Sequence, residues 1–175
     1  MMIFLVLKER LKSFYGKYAT LVHGVVKFIY SLTAVALLSS NIGYRTELTG
    51  LAAMLILALF SAFLPYGAIG CLLGAVMLVH IYAVSMEMAL ITAVILIIVI
   101  LLYYGFQPGD SYWLVLTPMA FLLKIPLAVP LLAGLSGSLL SVIPIGSGVV
   151  IYYIISYVKQ NAGVLSNDAS VDITQ

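Results

Sequence analysis

The sequence predicts an all-α membrane protein, a polytopic helical bundle of about six spans. Three observations carry this. First, 64% of the 175 residues are hydrophobic and 8% are charged. Soluble domains carry about 25% charged residues, so a chain this poor in charge cannot cover a water-facing surface, and lipid must be its main solvent. Second, apolar runs recur, most of them near the ~20 residues that cross ~30 Å of hydrocarbon. Third, the stretch 106–148 is cut by Pro108, Pro118, Pro126, Pro130 and Pro144 and by Gly134, Gly137, Gly146 and Gly148, which predicts broken C-terminal helices. The length suits one membrane domain, over 20–160.

Residues 1–19 mix apolar and basic side chains. Ile3, Leu7, Leu11 and Phe14 recur at three- and four-residue steps, so they share one helical face. Lys8, Lys12 and the nearby Arg10 lie toward another side. The pattern predicts an amphipathic helix in the membrane interface or a basic leader that fixes orientation. Basic residues following an apolar start are the wrong order for a cleavable signal peptide, and neither end carries a lipidation motif.

The first span is predicted over 20–42, with Lys27 near its cytoplasmic end and able to snorkel. A polar loop with Arg45 and Glu47 follows. The second span runs from Leu48 to Leu64 and stops at Pro65. The third covers 67–84 and the fourth 87–105. Two readings fit the rest. In the favoured one, a broken fifth span over 112–130 precedes a long sixth span over 131–158, interrupted at Pro144 to Gly148. In the other, 112–142 forms a re-entrant hairpin, and one further span leaves the C-terminus outside. Lys8, Arg10, Lys12 and Lys17 precede the first span, which puts the N-terminus in the cytoplasm. In the six-span reading Lys159 is then inside. Tyrosines and Trp113 fall near predicted span ends, where aromatic belts belong. Residues 161–175 are polar and predicted to be disordered.

Charges within spans are costly unless paired or hydrated, so they are the first functional candidates. His80, Glu87 and Lys124 all fall toward the outer half of the predicted bundle. Glu87 and Lys124 pair there, or with His80 they line an outward-facing polar pocket, or Glu87 caps the fourth helix and Lys124 snorkels outward. Lys124 precedes Ile125-Pro126, and the residue before a proline is biased away from helix. Broken helices at membrane depth line cavities or lie buried in protein, and transporters build binding sites from them. Pro126, Pro130, Pro144, Gly146 and Gly148 are therefore candidate backbone breaks of a binding or gating site.

No catalytic set is apparent, and the chain is read as a non-enzyme. Gly134-Leu135-Ser136-Gly137 superficially matches the Gly-x-Ser-Gly of rhomboid proteases. That chemistry needs a histidine base from a later span, whereas His23 and His80 both lie upstream. Gly134/Ser138, Gly137/Ser141 and Gly70/Gly74 instead read as small-residue faces that let helices approach closely, within the chain or in an oligomer. In the turn Phe106 to Ser111, Pro-Gly supplies the geometry, and Asp110 or Ser111 caps the next helix. Cys71 is the sole cysteine, so an internal disulfide or a multi-thiolate zinc site is excluded. No metal cluster, nucleotide fingerprint or cofactor motif appears. A net charge of +2 argues against nucleic acid as a partner.

Over Phe106 to Leu135, FQPGDSYWLVLTPMAFLLKIPLAVPLLAGL resembles a group of small polytopic membrane proteins of anaerobic Gram-positive bacteria. These often carry the label ABC-transporter permease. The resemblance extends weakly over most of the membrane region and brings no catalytic residues. It implies a permease-like transport subunit of a bacterial cytoplasmic membrane, energised by a separate ATPase or other membrane subunits. A non-transporting scaffold of an envelope or secretion assembly is the alternative, motivated by few polar pocket residues and the small-residue faces.

Overall fold

The computed structural model describes residues 2–106, 111–136 and 139–171. Helix α1 covers Met2–Ile42 and is kinked at Tyr18 (φ −119°, ψ 23°). The expected boundary between basic leader and first span is thus a kink in one helix. Next come α2 (Thr46–Thr49) and α3 (Leu51–Phe63). Extended backbone at Gly50 (ψ 143°) splits the expected second span. Leu64 is also extended (ψ 153°), as a residue before proline prefers, so α3 stops there. After α4 (Tyr66–Tyr82) and α5 (Met86–Phe106) come α6 (Tyr112–Leu122), α7 (Ala128–Ser136), a 3₁₀ turn (Leu139–Ser141) and α8 (Val142–Val171).

Among the described residues, three helical segments are long and apolar enough to cross a membrane: Tyr18–Ile42, Met86–Gly105 and Val142–Leu165. Helices α3, α4 and α6 are apolar but shorter, with 13, 17 and 11 residues. At 1.5 Å per residue, α3 reaches only about 20 Å.

Side-chain contacts fix the directions. Ser31 on α1 meets Ser61 on α3, and Lys27 meets Leu64, so α1 and α3 are antiparallel. Gly67 faces Tyr103 and Gly74 faces Leu96, which makes α4 and α5 antiparallel. Trp113 packs near Ile145, Thr117 against Gly148 and Phe121 against Tyr152, so α6 and α8 run parallel. Between them α7 returns along α6, with Val129 buried against Trp113 and Ala120.

This arrangement corrects the favoured sequence reading. Lys159 Nζ donates to Asn41 Oδ1 at 2.8 Å, and Ile155 and Val158 share a buried cluster with Leu38 and Ile42. The end of α1 and the region around Lys159 therefore lie at one end of the bundle, where the six-span reading put them on opposite sides. Helices α6 and α7 form a helical hairpin within 112–142, the stretch to which the second reading gave one. Helix α8 also runs through Asn161, where a disordered tail was expected to begin.

The break expected at Pro144 to Gly148 is absent. Pro144, Gly146 and Gly148 all lie inside α8. Pro144 is the third residue of that helix, where an N–H would have no intrahelical acceptor, so proline costs little. The break falls just before it, at the 3₁₀ turn.

The tightest contact lies between α6 and α8. Pro118 sits inside α6 and cannot donate to the Leu114 carbonyl. Gly148 lies against that carbonyl: a Cβ there would be 2.9 Å from Leu114 O and 2.7 Å from Thr117 Cβ. Apolar surface gains little by leaving lipid for protein, so close packing carries helix association. Gly70 packs on Leu114 and Gly74 on Leu96, so this small-residue face is used within the chain. Of the other two pairs, Gly137 and Ser138 lie outside the described residues.

Gly148→Ala is expected to lower stability by about 1–3 kcal/mol, because the neighbouring atoms must move. Gly146, with open space around it, serves as the control: Gly146→Ala should be neutral or gain up to about 1 kcal/mol from helix propensity. Unfolding of the detergent-solubilised chain measures both, and equal effects would contradict the contact.

Candidate functional site

The structure does not gather the residues singled out in the sequence. Lys124 is exposed and forms the C-terminal stop of α6. Its N–H donates to Phe121 O at 3.0 Å and the Ile125 N–H to Ala120 O at 2.9 Å. Lys124 adopts φ 62°, the left-handed conformation this Schellman cap requires. Its positive charge also suits the negative end of the helix dipole. Pro126 follows outside the helix and Pro130 lies in the first turn of α7, both exposed.

Glu87 is exposed in the first turn of α5, where a negative charge suits the dipole. The cap itself is Ser85, whose hydroxyl accepts from the Met88 N–H at 3.4 Å. Among the described residues, neither Glu87 nor Lys124 forms an ion pair. Arg45 and Glu47 do, at 3.4 Å and exposed, which is worth at most about 1 kcal/mol. Pro144 is fully buried and Gly148 packs against α6, whereas Gly146 faces open space. Asp110 lies outside the described residues. Ser111 starts α6, but its hydroxyl bonds to Tyr103 Oη instead of capping the helix.

His80 behaves differently. It is fully buried near the C-terminal end of α4. Its Nδ1 accepts from the Arg45 N–H at 3.3 Å. A neutral ring that accepts at Nδ1 carries its proton on Nε2, and Nε2 is buried without a partner. Ser39 Oγ on α1 and Thr92 Oγ1 on α5 are also buried and unpartnered. Leu38, Ile42, Met77, Ile81 and Ala89 belong to one core cluster, so the segments carrying these three groups converge at one end of the bundle. Each unsatisfied group costs about 1–3 kcal/mol. Together they present one N–H donor and two hydroxyls inside an otherwise apolar core. Ordered water or a polar group is what would meet each of these needs. Among the described residues no cluster of His, Cys, Asp or Glu could hold a metal ion.

A second polar node lies at the opposite end. Lys27 Nζ donates to Leu64 O at 2.9 Å and sits 5.3 Å from the Tyr66 ring centroid. Tyr30 Oη donates to Tyr112 O at 2.7 Å. The Tyr30–Tyr66 and Tyr66–Tyr112 rings meet edge-on at 6.0 and 6.5 Å. The expected snorkelling of Lys27 misses this role. Its signal was Pro65, which ends α3 and exposes the carbonyls of its last turn.

Lys124→Gly should raise stability by about 0.5–1 kcal/mol, because glycine adopts positive φ without the steric penalty and only a modest dipole interaction is removed. Thermal unfolding of both forms measures this, and a clear loss would show that the lysine head makes an interaction the cap does not account for.

Set against protein-family models, curated proteins and solved structures, the chain matches none.

Proposed function

We propose that the chain is a small integral membrane subunit of a transport system, permease-like, in a bacterial cytoplasmic membrane. The observation that supports this best is the buried, half-partnered His80 facing a core that also holds unpartnered Ser39 and Thr92 hydroxyls. Unsatisfied polar groups at membrane depth are expensive, and such residues commonly mark substrate or proton pathways. In this reading His80 Nε2 donates to a polar group of the transported species or to water, and the two hydroxyls share its contacts. A separate ATPase would supply the energy.

The N-terminus is cytoplasmic by the positive-inside rule. The tyrosine node around Lys27 then lies at the cytoplasmic interface and the His80 end at the outer one. Helices α1, α3, α4, α5 and α8 cross, α6 and α7 form a hairpin between the last two, and Lys159 is outside with Asn41.

A scaffold role in an envelope or secretion assembly is the second reading. It is favoured by broad exposed apolar faces, including Ile56, Leu59 and Phe63 on α3 and Val94, Ile98 and Leu101 on α5, which would suit either lipid or other membrane subunits.

Affinity purification of the full chain from its native membrane separates the two. Stoichiometric recovery of an ATPase is expected, whereas recovery of envelope-synthesis or secretion proteins alone would defeat the transport reading. Within a recovered complex, His80→Leu should leave folding intact and reduce the coupled ATPase rate by at least about tenfold, the scale expected when one hydrogen bond to the transported species is removed. An unchanged rate would remove His80 from the site.

Because Cys71 is the sole cysteine, topology is directly testable. In a Cys71→Ala background, Gln160→Cys should react with a membrane-impermeant maleimide applied from outside intact cells. Labelling only after lysis would restore the six-span arrangement.

A further inference from the structure

We propose that the groove between the N-terminal half of α1 and the end of α3 binds an anionic phospholipid of the leaflet facing the N-terminus, with the phosphate at Lys27. This goes beyond the transport reading: it uses the membrane orientation but not His80 or any ATPase.

The groove follows from unequal helix lengths. Pro65 ends α3 level with Lys27, while α1 continues past it to the kink at Tyr18. The segment 18–26 therefore borders an open groove against the end of α3 and Tyr66 at the start of α4. The resulting open groove has a volume of about 940 Å³ and is lined by His23, Gly24, Lys27, Leu59, Phe63 and Tyr66, among others. Drug-sized ligand sites span ~300–1,000 Å³, so the space is ample for a headgroup and the start of an acyl chain.

Its chemistry is divided. At the base, Lys27 Nζ is held in place by one hydrogen bond to Leu64 O and by the Tyr66 ring. An ammonium has three donors, so two remain for phosphate oxygens. The walls are apolar and open: Phe63 is 84% exposed and Leu21 67%. Exposed Ile56 and Leu59 continue the apolar surface along α3, away from the N-terminal side. A cation fixed at the base of an apolar wall, beside an aromatic belt, matches an amphiphile with a negative head. Lys8, Arg10, Lys12 and Lys17 precede this segment in the sequence, and such basic runs favour anionic leaflets. A free anion would leave the apolar walls unused.

The full chain is reconstituted in phosphatidylcholine vesicles containing photoactivatable phosphatidylglycerol, and crosslinks are mapped by mass spectrometry. They should concentrate in 19–28 and 59–66. An even spread over the exposed faces of α5 and α7 would overturn the proposal, and this arm needs no variant to fold. In native mass spectrometry, Lys27→Gln should lower the preference for phosphatidylglycerol over phosphatidylcholine about fivefold, the share of one lysine at an anionic surface. Lys27→Arg should retain the preference, and Lys124→Gln, at the opposite end, should not change it. Equal reductions in Lys27→Gln and Lys124→Gln would reduce the effect to overall charge and sink the site. So would displacement of the lipid by inorganic phosphate at comparable concentration, which would make the acyl groove irrelevant.

Discussion

In hydrocarbon there is no water to bond a freed backbone group, so every interruption of a helix must be closed by the protein itself. This chain interrupts its helices often, and the fold is largely the set of closures. Leu64 O, released by Pro65, takes Lys27 Nζ. The end of α6 folds its N–H groups back onto Ala120 and Phe121 through Lys124 and Ile125. The Leu114 carbonyl, deprived of its donor by Pro118, is covered by Gly148. Two of these three closures tie distant parts of the chain together, so local breaks become tertiary contacts.

The closures also sort the polar groups. At one end Lys27 and Tyr30 donate to the backbone carbonyls of Leu64 and Tyr112, and the Tyr30, Tyr66 and Tyr112 rings pack edge-on. At the other, His80, Ser39 and Thr92 keep unmet hydrogen-bonding capacity in a buried cluster. The two ends thus differ in kind: the first holds its polar groups at the margin of an open groove, the second buries them in the core. Trp113 Nε1 is buried and unpartnered as well, in the apolar α6–α7–α8 corner, where its ring meets Tyr112 at 5.0 Å.

The sequence points to the right kinds of residue and often to the wrong role. Pro144 and Gly148 read as a break, because proline and glycine weaken helices on average. In place, the proline occupies a first turn that has no use for its N–H, and the glycine is needed for contact with α6. Lys124 reads as a pocket cation, yet its backbone angle shows it serving as a helix stop. His80 stands out in the sequence as an ionisable residue within a span. Ser39 and Thr92 do not, because serine and threonine in apolar helices usually bond to their own backbone, as Thr33 and Thr117 do here.

The sequence alone determined the all-helical, membrane-embedded character, because this depends on composition and run length; it expected about six spans, of which the described structure holds three helical segments long and apolar enough to cross. It also located the helix ends at Pro65 and near the Lys124–Pro126 turn, since proline acts locally on the residue before it, but it ran the second span through the break at Gly50. Only the tertiary structure decided direction and neighbourhood: that α7 folds back along α6, that Lys159 meets Asn41, and that Lys27 closes α3. Side chains 37 and 118 positions apart make these contacts. Hydropathy sets how long an apolar segment is, but not which way it runs or which freed carbonyl its side chains will reach.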